Sequence, residues 1–351
     1  MDQRVKPAPH EIVRARSENP KMRERDLALQ LGVSEAELVA AHCGDGVLRI
    51  EPNVNVLLGG IEAVGEVMAL TRNDSAVHEK IGVYDKVVAG EHNAMVLGEQ
   101  IDLRIFPKAW ACGFAVEKRD GDEVRRSLQF FDEAGDAVHK VHLRPASDLD
   151  AYRELVSKLV SAEQGRTLDT VAIEPEVEAD ASAASADDLR ERWSRLTDVH
   201  QFFGMLKTLK LGRQQAVRMV GPDYAWRLTP DSVTAMLNHA AQDALPIMCF
   251  VGNRGCIQIH SGPVANIKPM GPWINVLDET FHMHLRTDHI VEAWGVRKPT
   301  KEGHVTSIEA YGADGKMIVQ FFGQRKEGQD EREGWRFLVE NLPRIPDVAA
   351  A

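Results

Sequence analysis

Apolar residues change their spacing along the chain, from a helical spacing near the N-terminus to alternation further on. Ser34 and Glu37 form a capping box in front of "LVAAH", which predicts a helix there. After about residue 45, apolar and polar residues alternate in "NVNVLLG", "QIDLRIF", "ACGFAVEK" and "RRSLQFF", which is the period of β-strands. "DEAGD", "GNRG" and "GADGK" interrupt the alternation and are typical of hairpin turns. Helices followed by an antiparallel meander predict an α+β fold, with helices covering a face of each sheet.

The same order of patterns occurs twice. At an offset of 180 positions, "LGVSEA" (31–36) falls on "LGRQQA" (211–216), and "SLQFFDEAGDAVHKV" (127–141) falls on "SIEAYGADGKMIVQF" (307–321). A single offset that holds over more than a hundred positions indicates a duplicated domain. The sequence therefore predicts a tandem duplication in which each half is a large antiparallel β-sheet flanked by helices.

A segment between the two copies has a different composition. Residues 171–188, "VAIEPEVEADASAASADD", are rich in Ala, Glu, Asp and Ser and contain no aromatic residue. Such a segment cannot contribute much to a hydrophobic core. We therefore expect a first repeat at 1–170, a linker at 171–188 and a second repeat at 189–351.

Composition and charge narrow the class of protein. Apolar residues make up 44% of the 351 residues and charged residues 27%, as in globular proteins with sizeable cores. No apolar run approaches the roughly 20 residues that a membrane span needs, and the N-terminus lacks the apolar region of a secretory signal. We therefore expect a cytoplasmic protein that is not embedded in a membrane. A net charge of −11 disfavours binding to nucleic acid.

The segment "LTDVHQFFGMLKTLK" indicates a place for a bound group. Thr197 suits an N-cap, which predicts a helix from Asp198 to about Lys210 with His200 in its first turn. Gly204 is the neighbour of His200 one turn on, and a glycine inside a helix costs roughly 1 kcal/mol relative to alanine. A flat group that lies over the glycine would account for this cost. An axial imidazole, apolar walls and basic residues at the rim are what haem requires. The alternative interpretation is a half-buried histidine that only fills a groove.

Three phrases of the sequence together resemble the HemS/ChuS/HmuS family: "LTDVHQFF…LGRQQAVRMV", "RKPTKEGHVTSIEAYGADG" and "VQFFGQR". These are cytoplasmic haem-binding proteins of bacterial haem-uptake systems, often called haemin-degrading factors. The resemblance covers essentially the whole chain and implies one haem b, held in a cleft between two similar halves. It implies that the site contains His200 as the axial iron ligand, Arg104 and Phe106 at the opposite haem face, Phe322 against the ring, and Arg213, Lys298, Gln320 and Arg325 near the propionates. Alternation cannot place both Gln320 and Arg325 on one face of a regular strand.

The two halves do not share these residues. At the offset of 180, Pro20 stands where the second half has His200, and Val33 stands where it has Arg213. The scaffold is therefore duplicated and the chemistry of the site is not. We expect one haem per chain.

Two functions fit such a site. The favoured one is a carrier that receives haem from an inner-membrane importer and delivers it, for iron release, to a haem oxygenase. The alternative is an enzyme that opens the macrocycle itself, for which Arg104 could steer bound dioxygen. The resemblance does not decide between them, because both activities are attributed to members of the family, and enzymatic activity is left open.

Two further patterns suggest other functions. Residues 23–41 have the rhythm of a helix-turn-helix, but Glu35 and Glu37 on its second helix would repel phosphates. His282 and His284 in "FHMHLRTDH" share a strand face, although the spacing offers no third ligand. A non-haem metal site is therefore the remote alternative.

Overall fold

The computed structural model describes residues 6–173, 185–325 and 330–346. Its helices are, in chain order, α1 (Pro9–Glu18), α2 (Glu24–Leu31), α3 (Glu35–Ala40), α4 (Val54–Val64), α5 (Leu149–Leu159), α6 (Ala186–Ser194), α7 (Gln201–Leu209), α8 (Arg213–Met219), α9 (Ser232–Gln242) and α10 (Glu333–Glu340). Its strands are β1 (Val47–Ile50), β2 (Val67–Arg72), β3 (Ala76–Gly82), β4 (Val87–Val88), β5 (Ala94–Leu97), β6 (Asp102–Ile105), β7 (Cys112–Asp120), β8 (Glu123–Phe131), β9 (Ala137–Leu143), β10 (Ala225–Leu228), β11 (Ile247–Gly252), β12 (Cys256–Gly262), β13 (Ile267–Met270), β14 (Trp273–Leu277), β15 (Phe281–Arg286), β16 (Glu292–Thr300), β17 (Gly303–Tyr311) and β18 (Met317–Gly323).

Within this part of the chain the strands form two antiparallel sheets of nine strands each. The strand order is β1-β7-β8-β9-β2-β3-β15-β14-β13 in the first sheet and β10-β16-β17-β18-β11-β12-β6-β5-β4 in the second. Each sheet takes six strands from one half of the sequence and three from the other. The predicted α+β class, with two large antiparallel sheets flanked by helices, is confirmed.

The tandem duplication is visible in the strand bounds. The meander β7-β8-β9 recurs 180 positions later as β16-β17-β18. Each meander has a register shift at the same place, between Phe130 and Phe131 in the first and between Ala310 and Tyr311 in the second. The predicted duplication is confirmed in these strands.

The offset of 180 does not hold before β2. α8 starts 178 positions after α3, and β10 starts 178 positions after β1. The connection from α9 to β11 is two residues longer than the connection from α4 to β2, and this restores the offset of 180. The predicted matches near the helices are therefore wrong: Arg213 matches Glu35 rather than Val33, and His200 matches Met22 rather than Pro20.

Two compact units contain the hydrophobic cores. The first takes the described residues up to Asn73, those from His78 to the first gap, and Gly252–Gln258, and the second takes the rest. In the first unit, α4 and α5 pack on one face of the β7-β8-β9 meander and α3 packs on the other. In the second unit, α9 and α10 cover the face that contains Phe321, and α6 to α8 cover the opposite face around Trp193.

One predicted strand is a helix. "NVNVLLG" alternates over its first residues, but it forms the start of α4. Asn53 caps this helix, because its side chain accepts a hydrogen bond from the backbone N–H of Val56 at 3.1 Å. The buried residues of α4 repeat at helical spacing along the whole element. Alternation over four residues is too short to distinguish the two periods.

Most of the predicted linker, 171–188, lies outside the described residues. The bounds of the two repeats, 1–170 and 189–351, therefore stay predictions. No helix in 6–173, 185–325 or 330–346 is long and apolar enough to cross a lipid bilayer.

Replacing Asn53 by alanine should lower the free energy of unfolding of the first unit by about 1 kcal/mol, because α4 loses the acceptor of its N-terminal N–H. Urea unfolding followed by circular dichroism measures the change. Asp231 is the matched residue before α9, and its side chain makes no capping bond. Asp231→Ala is therefore the control and should have a smaller effect. Equal losses in the two variants would contradict the assigned cap.

Candidate functional site

α7 starts later than the sequence predicted. It spans Gln201–Leu209, and His200 is the residue before it rather than part of a helix that begins at Asp198. The carboxylate of Asp198 accepts a hydrogen bond from the backbone N–H of His200 at 2.7 Å, which holds the chain in a turn. The C-terminal end agrees with the prediction, since Lys210 is the C-cap in a left-handed conformation.

The imidazole of His200 is exposed and held by a carboxylate. The side chain is 90% exposed, and its Nδ1 lies 2.7 Å from Oδ1 of Asp198. Hydrogen bonds from the backbone and side chain of His200 hold the pKa of Asp198 below its usual value, and the positive charge of Arg325 contributes. An ionised carboxylate beside Nδ1 favours the tautomer with the proton on that nitrogen. In its neutral form, His200 therefore presents the lone pair of Nε2 as a metal ligand.

An open, partly apolar face of α7 continues from His200. Phe203, Gly204 and Lys207 lie three, four and seven positions further on, which is the spacing of one helix face. Phe203 is 64% exposed although it is a large apolar residue. A Cβ atom placed on Gly204 would meet no atom within 4 Å. This face can therefore accept a flat group, with a nitrogen ligand at one end and an ammonium group at the other.

Sequence reasoning did not identify Lys207. Lys207 could have been found from its spacing, because it lies seven positions after His200 and therefore on the same helix face as His200 and Gly204. Lys207 is exposed, so its charge is accessible to an anionic group on that face.

A buried carboxylate connects several of the residues that were predicted to bind propionates. Glu309, on β17, is fully buried. It accepts hydrogen bonds from Arg213 (Nε at 2.8 Å and Nη2 at 2.7 Å), Lys298 (3.0 Å), Ser307 (3.1 Å), Tyr311 (2.5 Å) and Gln320 (2.9 Å). Burial alone would raise the pKa of Glu309, but the two cations and these bonds hold it well below its usual value. Sequence reasoning missed Glu309, because a glutamate in an alternating strand gives no signal of its partners.

Arg213 and Lys298 are both paired with this carboxylate. Burial lowers the pKa of Lys298 to about 8, against the attraction of Glu309. Burial also acts against the charge of Arg213, but the pairing outweighs it and raises the pKa. Both cations lie over the ring of Phe202, at 4.6 Å from its centroid for Lys298 and 5.3 Å for Arg213. Their contact with propionates stays a prediction.

The remaining predicted residues of the second half lie on or beyond β18. Gln320 is buried and donates to the Glu309 carboxylate. Phe322 lies two positions on, and its ring packs against Phe250 with the centroids 5.2 Å apart. Arg325 lies beyond the end of β18, so strand alternation does not restrict it.

Arg104 and Phe106 belong to the first unit. Arg104, on β6, donates to the carboxylate of Asp102 and to the backbone carbonyl of Leu103 at 3.1 Å, and its side chain is 35% exposed. The backbone N–H of Phe106 donates to the carbonyl of Gly255 at 3.0 Å. The predicted roles of both residues at a haem face stay predictions.

The residues of the two competing patterns make structural contacts. Glu35 and Glu37 are buried, and Glu35 pairs with Lys140, so α3 does not present them on an exposed face as the sequence suggested. Nδ1 of His284 lies 2.6 Å from Oδ1 of Asn275. Among the residues that the structure describes, no group of three His, Cys, Asp or Glu side chains could hold a metal ion.

Replacing Glu309 by glutamine should lower the free energy of unfolding of the second unit by about 3–5 kcal/mol at neutral pH, because two buried cations lose their carboxylate. Urea unfolding followed by tryptophan fluorescence measures the loss. The pKa of Glu309 is depressed in the folded protein. Its stabilisation is therefore complete above the ordinary glutamate pKa of 4.5 and is lost as the pH falls toward the depressed pKa. The difference between the two proteins should shrink over the same range.

Glu123→Gln is the control for this variant. It removes a carboxylate that pairs with exposed Arg125, so it should leave stability unchanged at every pH. A loss in Glu309→Gln that remains constant as the protein is acidified would contradict the role assigned to the ionised carboxylate.

Known proteins share both the sequence and the fold. The family model "Haemin-degrading HemS.ChuX domain" matches residues 32–159 and 210–342. The hemin transport protein HmuS of Yersinia pestis is 41% identical over 343 residues, which cover 97% of this chain and 98% of that protein. The crystal structure of holo-PhuS, a heme-binding protein from Pseudomonas aeruginosa, matches with a TM-score of 0.93 and 42% identity, covering 97% of this chain and 100% of that one. The crystal structure of ChuS, an E. coli heme oxygenase, matches with a TM-score of 0.84 and 37% identity, covering 94% and 98%. Since the family model matches both repeats, this chain belongs to the HemS family and carries its domain twice.

Proposed function

We propose that this protein binds one haem b per chain, with His200 as the axial ligand of the iron. One observation carries the proposal: the exposed imidazole of His200 is oriented by Asp198 and lies at the start of an open helix face. Histidine nitrogen is a common axial ligand of haem iron. The relatives at 41% and 42% identity are named a hemin transport protein and a heme-binding protein, which supports the same ligand here.

Other residues of the second unit suit the rest of a haem molecule. Phe203 and the space over Gly204 provide an apolar surface for the ring. Lys207, Arg325 and Arg213 are the proposed cationic partners for the two propionates. Phe322, Lys298, Gln320, Arg104 and Phe106 are retained as proposed haem contacts on the family resemblance.

The exposure of the proposed ligand supports a carrier function. An imidazole at the surface of α7 can exchange iron with the ligand of another protein without disturbing a core. The carrier takes haem from an inner-membrane importer and passes it to a haem oxygenase in the cytoplasm.

Haem degradation is the second candidate function. The observation in its favour is the 37% identity with ChuS, which is named a heme oxygenase. Degradation uses the same axial histidine and needs in addition a polar group near bound dioxygen. Arg104 is the residue proposed for that role.

One experiment separates the two functions. The haem complex is incubated with a reductant, with and without dioxygen, and catalase is present throughout. Catalase removes the peroxide that destroys haem in solution without enzymatic chemistry. A carrier leaves the haem intact under these conditions, whereas an enzyme forms open-chain tetrapyrroles that mass spectrometry identifies.

His200→Ala should shift the Soret band and weaken the binding of ferric haem by at least about tenfold, because the iron loses its axial ligand. Asp198→Ala should weaken binding by about tenfold, because the ring loses the partner that orients it. His239→Ala is the control, since His239 is an exposed histidine on α9. If the spectrum and affinity of His200→Ala equalled those of the control, His200 would not be the ligand.

Lys207→Ala should speed haem dissociation by up to about fivefold, because an exposed ion pair contributes at most about 1 kcal/mol. Stopped-flow transfer to excess apomyoglobin measures the rate. The dimethyl ester of haem has no propionate charge and should dissociate equally fast from both proteins. Lys316→Ala removes an exposed lysine in the turn between β17 and β18 and should change neither rate. If Lys207→Ala sped the dissociation of the ester as much as that of haem, the propionate contact would be excluded.

A further inference from the structure

A cavity of about 250 Å³ lies in the first unit, beside the β7-β8-β9 meander and the start of α2. Cationic side chains dominate its lining, which includes Lys118, Arg125, Arg126 and Lys140. At roughly 30 Å³ per molecule, this volume corresponds to about eight waters. It lies just below the range of roughly 300–1,000 Å³ typical of pockets for drug-sized ligands. The cavity therefore has room for a small molecule.

More cations than carboxylates line the cavity. The ion pairs are Lys118 with Glu24, Arg125 with Glu123, Arg126 and Arg119 with Glu117, and Lys140 and Arg72 with Glu35. Four of these cations, Lys118, Arg125, Arg126 and Lys140, line the cavity, whereas of the four carboxylates Glu24 alone is among its lining residues. An anion with two or more charges would balance this excess.

Gln129 provides an independent indication of a ligand. It is 2% exposed, it lines the cavity, and its Nε2 donates to the hydroxyl of Ser127 at 3.0 Å. Its Oε1 is buried and has no hydrogen-bond partner in the described part of the chain. Buried polar atoms are nearly always paired. A ligand hydroxyl could donate to this oxygen, and after an amide flip Nε2 could donate to an anion instead.

The second unit has a carboxylate at the corresponding position. Gln129 lies 180 positions before Glu309, and Lys118 lies 180 positions before Lys298. In the second unit, Glu309 binds Lys298, whereas the neutral amide of Gln129 contributes no such charge to the first unit. The local field is correspondingly positive: burial and the charges of the two neighbouring lysines lower the pKa of His142, which also lines the cavity, to about 4.

Haem does not suit this cavity. The residue that matches the axial candidate His200 is Met22, which is not among the lining residues. The volume also favours a ligand much smaller than a macrocycle.

We propose that this cavity is a binding site for a small polyanion, either a phosphate monoester or diphosphate, or a compact polycarboxylate. Arg125, Arg126 and Lys118 supply the charge-assisted hydrogen bonds, and Gln129 bonds to a polar group at the buried end. The site is separate from the proposed haem ligand, and the proposal does not depend on that function.

Isothermal titration calorimetry of the full-length protein tests the site, with inorganic pyrophosphate in one arm and citrate in the other. At least one probe should bind once per chain with a Kd of about 1 mM or lower. The probe with the lower Kd shows whether the site prefers phosphate or carboxylate groups. Lys118→Gln and Arg126→Gln should each weaken binding about tenfold, because each removes a charge-assisted hydrogen bond. Binding should also raise the pKa of His142, which an NMR titration measures.

Two further variants make the test specific. Arg119→Gln removes a cation that pairs with the same Glu117 but does not line the cavity, so it should leave the Kd within about twofold. Gln129→Glu places a carboxylate where the second unit has one, and should abolish binding. Circular dichroism of each variant shows whether it is folded, and Lys118→Gln tests the site if Gln129→Glu does not fold.

Several results would overturn the proposal. One is the absence of saturable binding of either probe at millimolar concentration. Another is an equal loss from Arg119→Gln and Lys118→Gln, which would mean attraction by overall charge. A third is displacement of the bound probe by haem in the His200→Ala variant, which would assign the cavity to haem.

Discussion

The buried charge of Glu309 is the constraint on which the second unit depends. Removing a carboxylate from water costs several kcal/mol, and only close cations together with further hydrogen bonds offset that cost. The partners come from β16, β17, β18 and the first residue of α8, so they tie this helix to three strands at once. Phe202 lies under the two cations, and the position of α7 therefore depends on the same carboxylate. The exposed His200 therefore precedes a helix whose position is fixed by buried contacts of Phe202.

In the first unit the ion pair between helix and sheet has its acidic residue on the helix and its basic residue on the strand, the reverse of the second unit. Glu35 starts α3 where Arg213 starts α8, and Glu35 pairs with Lys140 on β9. With the acidic partner on the helix, the strand position that holds Glu309 in the second unit is the neutral Gln129 in the first. Burial would raise the pKa of Glu35, but Lys140 and its neighbouring cations lower it. Both repeats thus have an ion pair between a helix and the sheet. The helix carries the acidic partner in the first repeat and the basic partner in the second, so the charges at corresponding positions differ.

Local signals in the sequence predicted the strands of both meanders, the duplication and the fold class, because alternation and turn residues act over a few positions. Two local predictions were wrong because another interaction competed with the pattern, and other features were missed because their partners lie far apart in the sequence. Asp198 accepts a hydrogen bond from the backbone N–H of His200, and α7 starts after this turn rather than at Asp198. Asn53 caps α4, so the alternating segment that begins there is a helix and not a strand. The ion pair between Glu309 and Arg213 spans 96 positions, and no pattern in either segment indicates it. Nor does any local pattern indicate that each sheet takes three strands from the other half of the sequence.

Two features of the proposed haem site favour transfer of haem over its storage: the pairing of its buried cations and the exposure of its proposed iron ligand. Arg213 and Lys298 already share the negative charge of Glu309, so a propionate gains less from them than it would from unpaired cations. The proposed axial ligand, His200, has an exposed imidazole that another protein can reach. Both features limit the free energy of haem binding without removing specificity for an iron ligand. A haem-degrading enzyme has a different requirement, because it must exclude water around the reacting centre to protect its intermediates. The exposure of His200 is therefore an argument for the proposed carrier function over the proposed degradation.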